Sequence, residues 1–429
     1  MVTETENEDA AQAEGGWAQK PSFYDQKSAR QVMDKIITLN FAIMAAGLND
    51  AATGVLIPYI QPTYQIGLLA VSFIYLANFA GWLCACFANI HVCSRLGTGG
   101  TVVLGAAIQC LGNALIFGHP PYPLFMAAFF FTGMGIAFQN AQANAFIITV
   151  KNAHWWLGIL HAIYGAGTII APLIANTIAS QTPEWHRYYL ITSCVGVVNT
   201  LLLAWTFRRG LFRPNVLNTQ ETAGSQLKAT LTNRSVWIIN GFFFLYSGAE
   251  VVSGGWIVQF IVSVRHGDPK KVGYIASGFW TGFTVGRVVL ADITHKFGER
   301  RMVFVYLVLA LGMQLIFWFV PNILVNAIAV FVLGFFIGPF YPVGLYLLTE
   351  IVPQELHLGA IGFVASLGQA GSAAFPFMTG AIASKAGVQV LQPIMVGLLV
   401  GIGVFWAFIP KQGTIRLEGE TENDRLVES

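Results

Sequence analysis

Charge is what this chain has least of. Its 23 Lys and Arg and 21 Asp and Glu amount to 10% of 429 residues, against about 25% in an ordinary soluble domain. The net charge is +2, and the basic residues lie in short loops, so no cationic face is left for nucleic acid. Cysteine is also scarce. Cys84, Cys86, Cys93, Cys110 and Cys194 are odd in number, form no C-x-x-C and fall in or beside apolar runs, which reads as small helix fillers rather than a disulfide framework. No G-x-x-x-x-G-K-[ST] loop is present, which argues against ATP-driven pumping by this chain. No H-E-x-x-H, G-x-S-x-G or Cys/His cluster is present either, and the eight histidines are scattered. Neither an enzyme nor a metal or other cofactor is expected. The first 33 residues are polar and acid-rich without a short apolar core, so no cleavable signal peptide is expected there.

What the chain has is apolar residues, 55% of the total, with 45 glycines and a mean hydropathy of +0.62. About 20 residues of helix cross about 30 Å of hydrocarbon. A window of that size finds twelve segments, at 35–59, 67–90, 100–118, 121–148, 155–179, 187–207, 234–262, 273–293, 302–320, 322–349, 357–382 and 387–410. The expected fold is an all-α integral membrane protein with twelve transmembrane helices in two six-helix pseudo-symmetric bundles. Residues 1–33 are expected to be a disordered tail, 34–207 the first bundle, 208–233 a polar connecting loop, 234–410 the second bundle and 411–429 a second tail. Of the 23 Lys and Arg, seventeen lie on the side of both tails and the loop. Five (Arg187, Arg265, Lys270, Lys271 and Lys385) lie opposite, and Arg287 falls inside the eighth segment. The positive-inside bias makes both termini cytoplasmic. The sequon Asn233-Arg234-Ser235 then faces the cytoplasm, where it stays unglycosylated.

The two halves repeat one another. Asp50-x-x-Thr53-Gly54 in the first segment is matched by Glu250-x-x-Ser253-Gly254 in the seventh. Ala166-Gly167-Thr168-x-x-x-Pro172 in the fifth is matched by Ala370-Gly371-Ser372-x-x-x-Pro376 in the eleventh. Parallel repeats of this kind place a substrate site near mid-membrane between them. A carboxylate facing lipid there costs several kcal/mol, so Asp50 and Glu250 are expected to face the cavity. Burial in a low-dielectric site penalises the charged form of a carboxylate, which lets such a pair exchange protons in a proton-coupled carrier. The competing reading is that each carboxylate ties its helix to a neighbour through hydroxyl groups.

Around this pair the fourth segment carries Gln139, Asn140, Gln142 and Asn144, whose amides suit sugar hydroxyls. Asn140 and Asn144 share a face and are the candidates, with interhelical hydrogen bonding as the alternative. Further substrate candidates are Asn49, His161, Tyr164, Tyr246, Trp256, Gln259, Trp280 and Gln369, the aromatic rings as stacking surfaces. Arg287 is expected to pair with Asp292 rather than to meet substrate. Gly165, Gly167, Gly368 and Gly371, with Pro172 and Pro376, thin the fifth and eleventh segments, allowing close approach and bending or simple tight packing.

The stretch GRVVLADITHKFGERR at 286–301 resembles the loop signature of the major facilitator superfamily, through Gly286, Asp292, Lys296, Gly298, Arg300 and Arg301. Its first-half counterpart, HVCSRLGTGG, keeps only Arg95 and glycines. The resemblance implies that Gly286, Arg287, Asp292, Arg300 and Arg301 gate the cytoplasmic side. LND followed by LIP, GMGIAFQNAQANAF, FLYSGAE and GFVASLGQAGSAAFP are similar to the fucose-permease-like sugar/proton symporters, including fungal members. That likeness implies a coupling role for Asp50. It also places Asn140 where the family has a second carboxylate, and Glu250 where glutamine is usual. The expectation is a monomeric plasma-membrane carrier in the lipid bilayer, moving a monosaccharide with protons. In it Asp50 is proton-linked and Glu250 binds substrate hydroxyls or balances charge. A non-transporting nutrient sensor, or a carrier of organic acids or nucleosides, are the alternatives.

Overall fold

In lipid every backbone N–H and C=O must be satisfied within the chain, which for a sequence of long apolar runs leaves the helix as the available solution. The computed structural model describes residues 26–151, 153–208, 230–353 and 356–410, and these are helical almost throughout, with no strand among them. The tail 411–429 and most of the 208–233 loop lie outside the described residues. So do residues 1–25, although helix begins at Gln26, inside the stretch assigned to the first tail.

Twelve spans follow. α1 comprises Gln26–Asp50 and Ala52–Tyr64, with Pro58 and Pro62 in its second part. α2 and α3 share one helical run, Leu68–Phe117, whose backbone leaves helical geometry at Gly97 (φ 68°), a conformation glycine adopts without strain. The first half is completed by α4 (Tyr122–Ile147), α5 (Ala153–Gln181) and α6 (Tyr188–Phe207). The second half consists of α7 (Arg234–Arg265), α8 (Tyr274–Phe297), α9 (Glu299–Phe319), α10 (Ile323–Ile337 and Phe340–Ile351), α11 (His357–Gly368 and Gly371–Ala386) and α12 (Leu391–Phe408). Ten of these spans are long and apolar enough to cross a membrane unaided. The other two are α8, diluted by Arg287 and Asp292, and α11, broken at Gln369–Ala370.

The repeat read from sequence is built into the packing. A Cβ placed on Gly81 of α2 would lie 2.0 Å from the Phe130 carbonyl oxygen of α4, and one on Gly133 of α4 would lie 2.2 Å from that of Asn78 on α2. Displaced by 205 residues, Gly286 meets Phe335 O at 2.0 Å and Gly338 meets Phe283 O at 2.3 Å. The same reciprocal crossing thus recurs between α8 and α10. The α5 and α11 motifs behave alike, with Gly167 against Met44 of α1 and Gly371 against Phe244 of α7. Such contacts let backbones approach closely in lipid, where dispersion rather than the hydrophobic effect holds helices together.

α1 begins and α12 ends on one side of the bundle, here called the termini side. Contacts between the halves gather on the opposite, far side. There Gly54 abuts Gly254 and Gly255, Gly380 abuts Ser72 and Trp256, and the rings of Phe73 and Phe377 meet at a tilt. Asn176 Nδ2 donates to Lys270 O (2.9 Å), Ser277 Oγ to Ile169 O (3.0 Å) and Trp256 Nε1 to Pro376 O (3.2 Å). The first part of α1, α4, α10 and the first part of α11 make no extensive contact across the halves. Among the described residues the halves meet on the far side and part toward the termini side.

Candidate functional site

Between the halves lies a cavity of about 170 Å³, more than ten times the roughly 10–15 Å³ that one water occupies by the same measure. Asp50 of α1 and Glu250 of α7 both line it, as expected from their equivalent places in the repeat. Asn49, Asn140, His161, Tyr164, Trp280 and Gln369 line it as well.

Asp50 accepts a hydrogen bond from Tyr164 Oη at 3.1 Å. Tyr188, on α6, donates instead to the Leu48 carbonyl at 2.5 Å, bracing the turn of α1 before the acid. On the other wall Arg287 Nη2 lies 3.9 Å from Glu250 Oε1 and donates to Tyr246 Oη at 3.1 Å. Its Nε donates to the Gly338 carbonyl at 3.1 Å. That carbonyl is free for a local reason: its helical partner would be the N–H of residue 342, which is proline. The guanidinium also stands 4.3 Å over the Phe283 ring and 6.0 Å from that of Tyr341. Tyr341 in turn faces His161 across the halves, ring centroids 5.7 Å apart.

Of the four amides on α4, only Asn140 reaches the cavity. Asn144 Nδ2 donates to Asn140 Oδ1 at 2.7 Å, so it orients Asn140 and leaves that residue's NH2 for a ligand. Gln139 is bound into a buried chain, donating to Gln109 Oε1 and accepting from Asn199 Nδ2, each at 2.8 Å. Gln142 donates to Asn89 Oδ1 at 2.9 Å. These two join helices of the first half.

Several expectations are corrected. Arg287 does not pair with Asp292; it faces Glu250, while Asp292 is exposed. Five positions along a helix turn about 140°, so the two side chains leave α8 on different faces. Trp256 and Gln259 are not in the cavity wall: Trp256 seals the far side against Pro376, and Gln259 donates to Ser263 Oγ at 3.0 Å. They stand about 240° and 180° round α7 from Glu250. Tyr246 sits behind the wall, holding Arg287. The gating role expected for Gly286, Arg300 and Arg301 stays a proposal: in this state Gly286 packs against Phe335, Arg300 donates to the Ile409 and Pro410 carbonyls just past α12, and Arg301 is exposed.

Tyr75, Trp82, Ser247 and Tyr341 line the cavity without having been singled out. Arg287 carried a usable signal, because an ionisable residue in mid-span marks a functional site by default. For the others, a tyrosine, tryptophan or serine in an apolar run has no distinguishing mark.

The chain matches the family model of the Major Facilitator Superfamily over residues 39–266 and 241–427. It is 25% identical over 414 residues to Bypass of stop codon protein 6 of Saccharomyces cerevisiae, covering 88% of this chain and 82% of that one. It is 21% identical over 370 residues to the glucose/mannose transporter GlcP of Bacillus subtilis, covering 83% and 91%. Among solved structures it superposes on FucP, the E. coli fucose:proton symporter, in its outward conformation, with TM-score 0.65, 17% identity and coverage of 89% and 100%. It also superposes on a point mutant of the nucleoside transporter NupG, with TM-score 0.70, 14% identity and coverage of 88% and 100%.

Proposed function

The chain belongs to the major facilitator superfamily, and from that premise we propose that this transporter carries a monosaccharide together with protons by alternating access. The observation that carries the reading is that Asp50 and Glu250, at equivalent places in the two halves, line one cavity. The cavity's remaining polar wall is the Arg287 guanidinium together with amide, hydroxyl, phenol, imidazole and indole groups, a mixture of donors and acceptors that suits solute hydroxyls. The likeness to a glucose/mannose transporter supports a sugar as the solute. Glu250 has Arg287 beside it, whereas Asp50 is held by the neutral Tyr164 hydroxyl. Asp50 is therefore the carboxylate proposed to take up and release the proton. A ligand shifts a conformational equilibrium only by its differential affinity for the two states, so a proton on Asp50 and a solute in the cavity together favour the change of side.

With the positive-inside bias, the termini side is the cytoplasm and the structure is the inward-facing state of a plasma-membrane carrier. A thermal-shift screen of the purified protein tests the solute class. Stabilisation by neutral monosaccharides is expected; stabilisation only by organic acids or only by nucleosides would replace the sugar reading with that class.

A further inference from the structure

A guanidinium stays charged at any physiological pH, and in mid-membrane it needs a counter-charge. The partners that hold Arg287 by hydrogen bonds are neutral, the Gly338 carbonyl and the Tyr246 hydroxyl. Its ion pair is with Glu250, and the 3.9 Å separation exceeds the about 2.7–2.9 Å of a charge-assisted hydrogen bond. The carboxylate balances the charge without closing onto the guanidinium fork, and both side chains line the cavity. The second carboxylate of the cavity, Asp50, is held on the opposite wall by Tyr164.

We infer that Glu250 is a built-in counter-ion that occupies the place a solute's carboxylate would take on Arg287, and so makes this carrier reject sugar acids in favour of neutral sugars. The inference rests on the monosaccharide reading above and names the subclass. An incoming carboxylate meets Glu250, and by displacing it would strand a second anion in a low-dielectric site, a like-charge arrangement that costs several kcal/mol. A neutral polyol meets no such term. Discrimination through repulsion of the wrong ligand is a general route to specificity. Without Glu250, the planar fork of Arg287 is suited to a bidentate carboxylate.

The test uses the purified full-length protein, with D-glucose, D-glucuronate and acetate as probes of thermal stabilisation and of binding. The unaltered protein is expected to respond to D-glucose and not to either anion. Glu250→Ala is expected to gain stabilisation by acetate and to bind D-glucuronate at least about tenfold more tightly than the unaltered protein does. Adding Arg287→Met to it is expected to abolish both gains. If Glu250→Ala does not yield folded protein, the isosteric Glu250→Gln is measured in its place. The inference is overturned if the unaltered protein binds D-glucuronate as well as D-glucose, if neither variant gains an anion response, or if the gain survives loss of Arg287. Anion gains in the variant beside an unaltered protein that answers to no neutral sugar would uphold the role of Glu250 and remove the sugar reading.

Discussion

Asp50 and Glu250 hold equivalent positions and unlike surroundings. Around Asp50 stand Tyr164 from α5, the Tyr188 hydroxyl from α6 turned to a backbone carbonyl, and Glu250 across the cavity. Around Glu250 stand Arg287 and Tyr246. A carboxylate beside a fixed cation stays charged, while one held by a neutral hydroxyl is free to trade a proton. Asp50→Asn is therefore expected to leave exchange of solute down its gradient intact, measured as counterflow in proteoliposomes, while abolishing its dependence on pH. Glu250→Gln is expected to keep that pH dependence and to lower stability by about 1–3 kcal/mol through an unpaired Arg287, read as a lower melting temperature. The reverse pattern would move the coupling role to Glu250. Asp292 is exposed in the present state, so any latch through it belongs to the state open on the far side. Asp292→Asn should shift the population toward the structure described without abolishing solute binding, and unchanged transport kinetics would mark it as a solvated residue on the surface of α8.

The helices owe their arrangement to positions where no side chain fits. Gly371→Ala is expected to destabilise the protein by several kcal/mol, because its Cβ would sit 1.8 Å from the Phe244 carbonyl oxygen. Gly312→Ala, in α9 with nothing within 4 Å, should be neutral or stabilising by up to about 1 kcal/mol. Melting temperatures of the two variants in detergent check this; equal effects would show that the α7–α11 crossing is not what the glycine serves. The spans themselves were legible in sequence because an apolar run of about 20 residues is a strong and local signal. The repeat was legible from two motifs, but the 205-residue correspondence of Gly81 with Gly286 and Gly133 with Gly338 was not, since lone glycines among 45 carry no mark. The site was legible where the two halves repeat one another, as at Asp50 and Glu250, which line one cavity. It was misread where closeness in sequence stood in for closeness in space. Arg287 and Asp292 diverge by about 140° round α8, and the partner of Arg287 comes from α7, 37 residues earlier.

At the scale of the whole molecule, two similar halves touch along their far-side ends and part toward the termini, enclosing a charged cavity between them. Alternating access requires the far-side contacts to break. Asn176 and Gly273 belong to different halves and are in contact there. Asn176→Cys combined with Gly273→Cys should form a disulfide on oxidation that arrests transport, with recovery on reduction. Full activity of the oxidised protein would mean that this seam does not open. The central claim, that the cavity couples a neutral sugar to a proton through Asp50, is tested most directly by uptake into proteoliposomes carrying a pH gradient. The account predicts that the unaltered protein accumulates a neutral monosaccharide above its external concentration, on the alkaline side, and that Asp50→Asn only equilibrates it. Equal, gradient-independent equilibration by both proteins would contradict it.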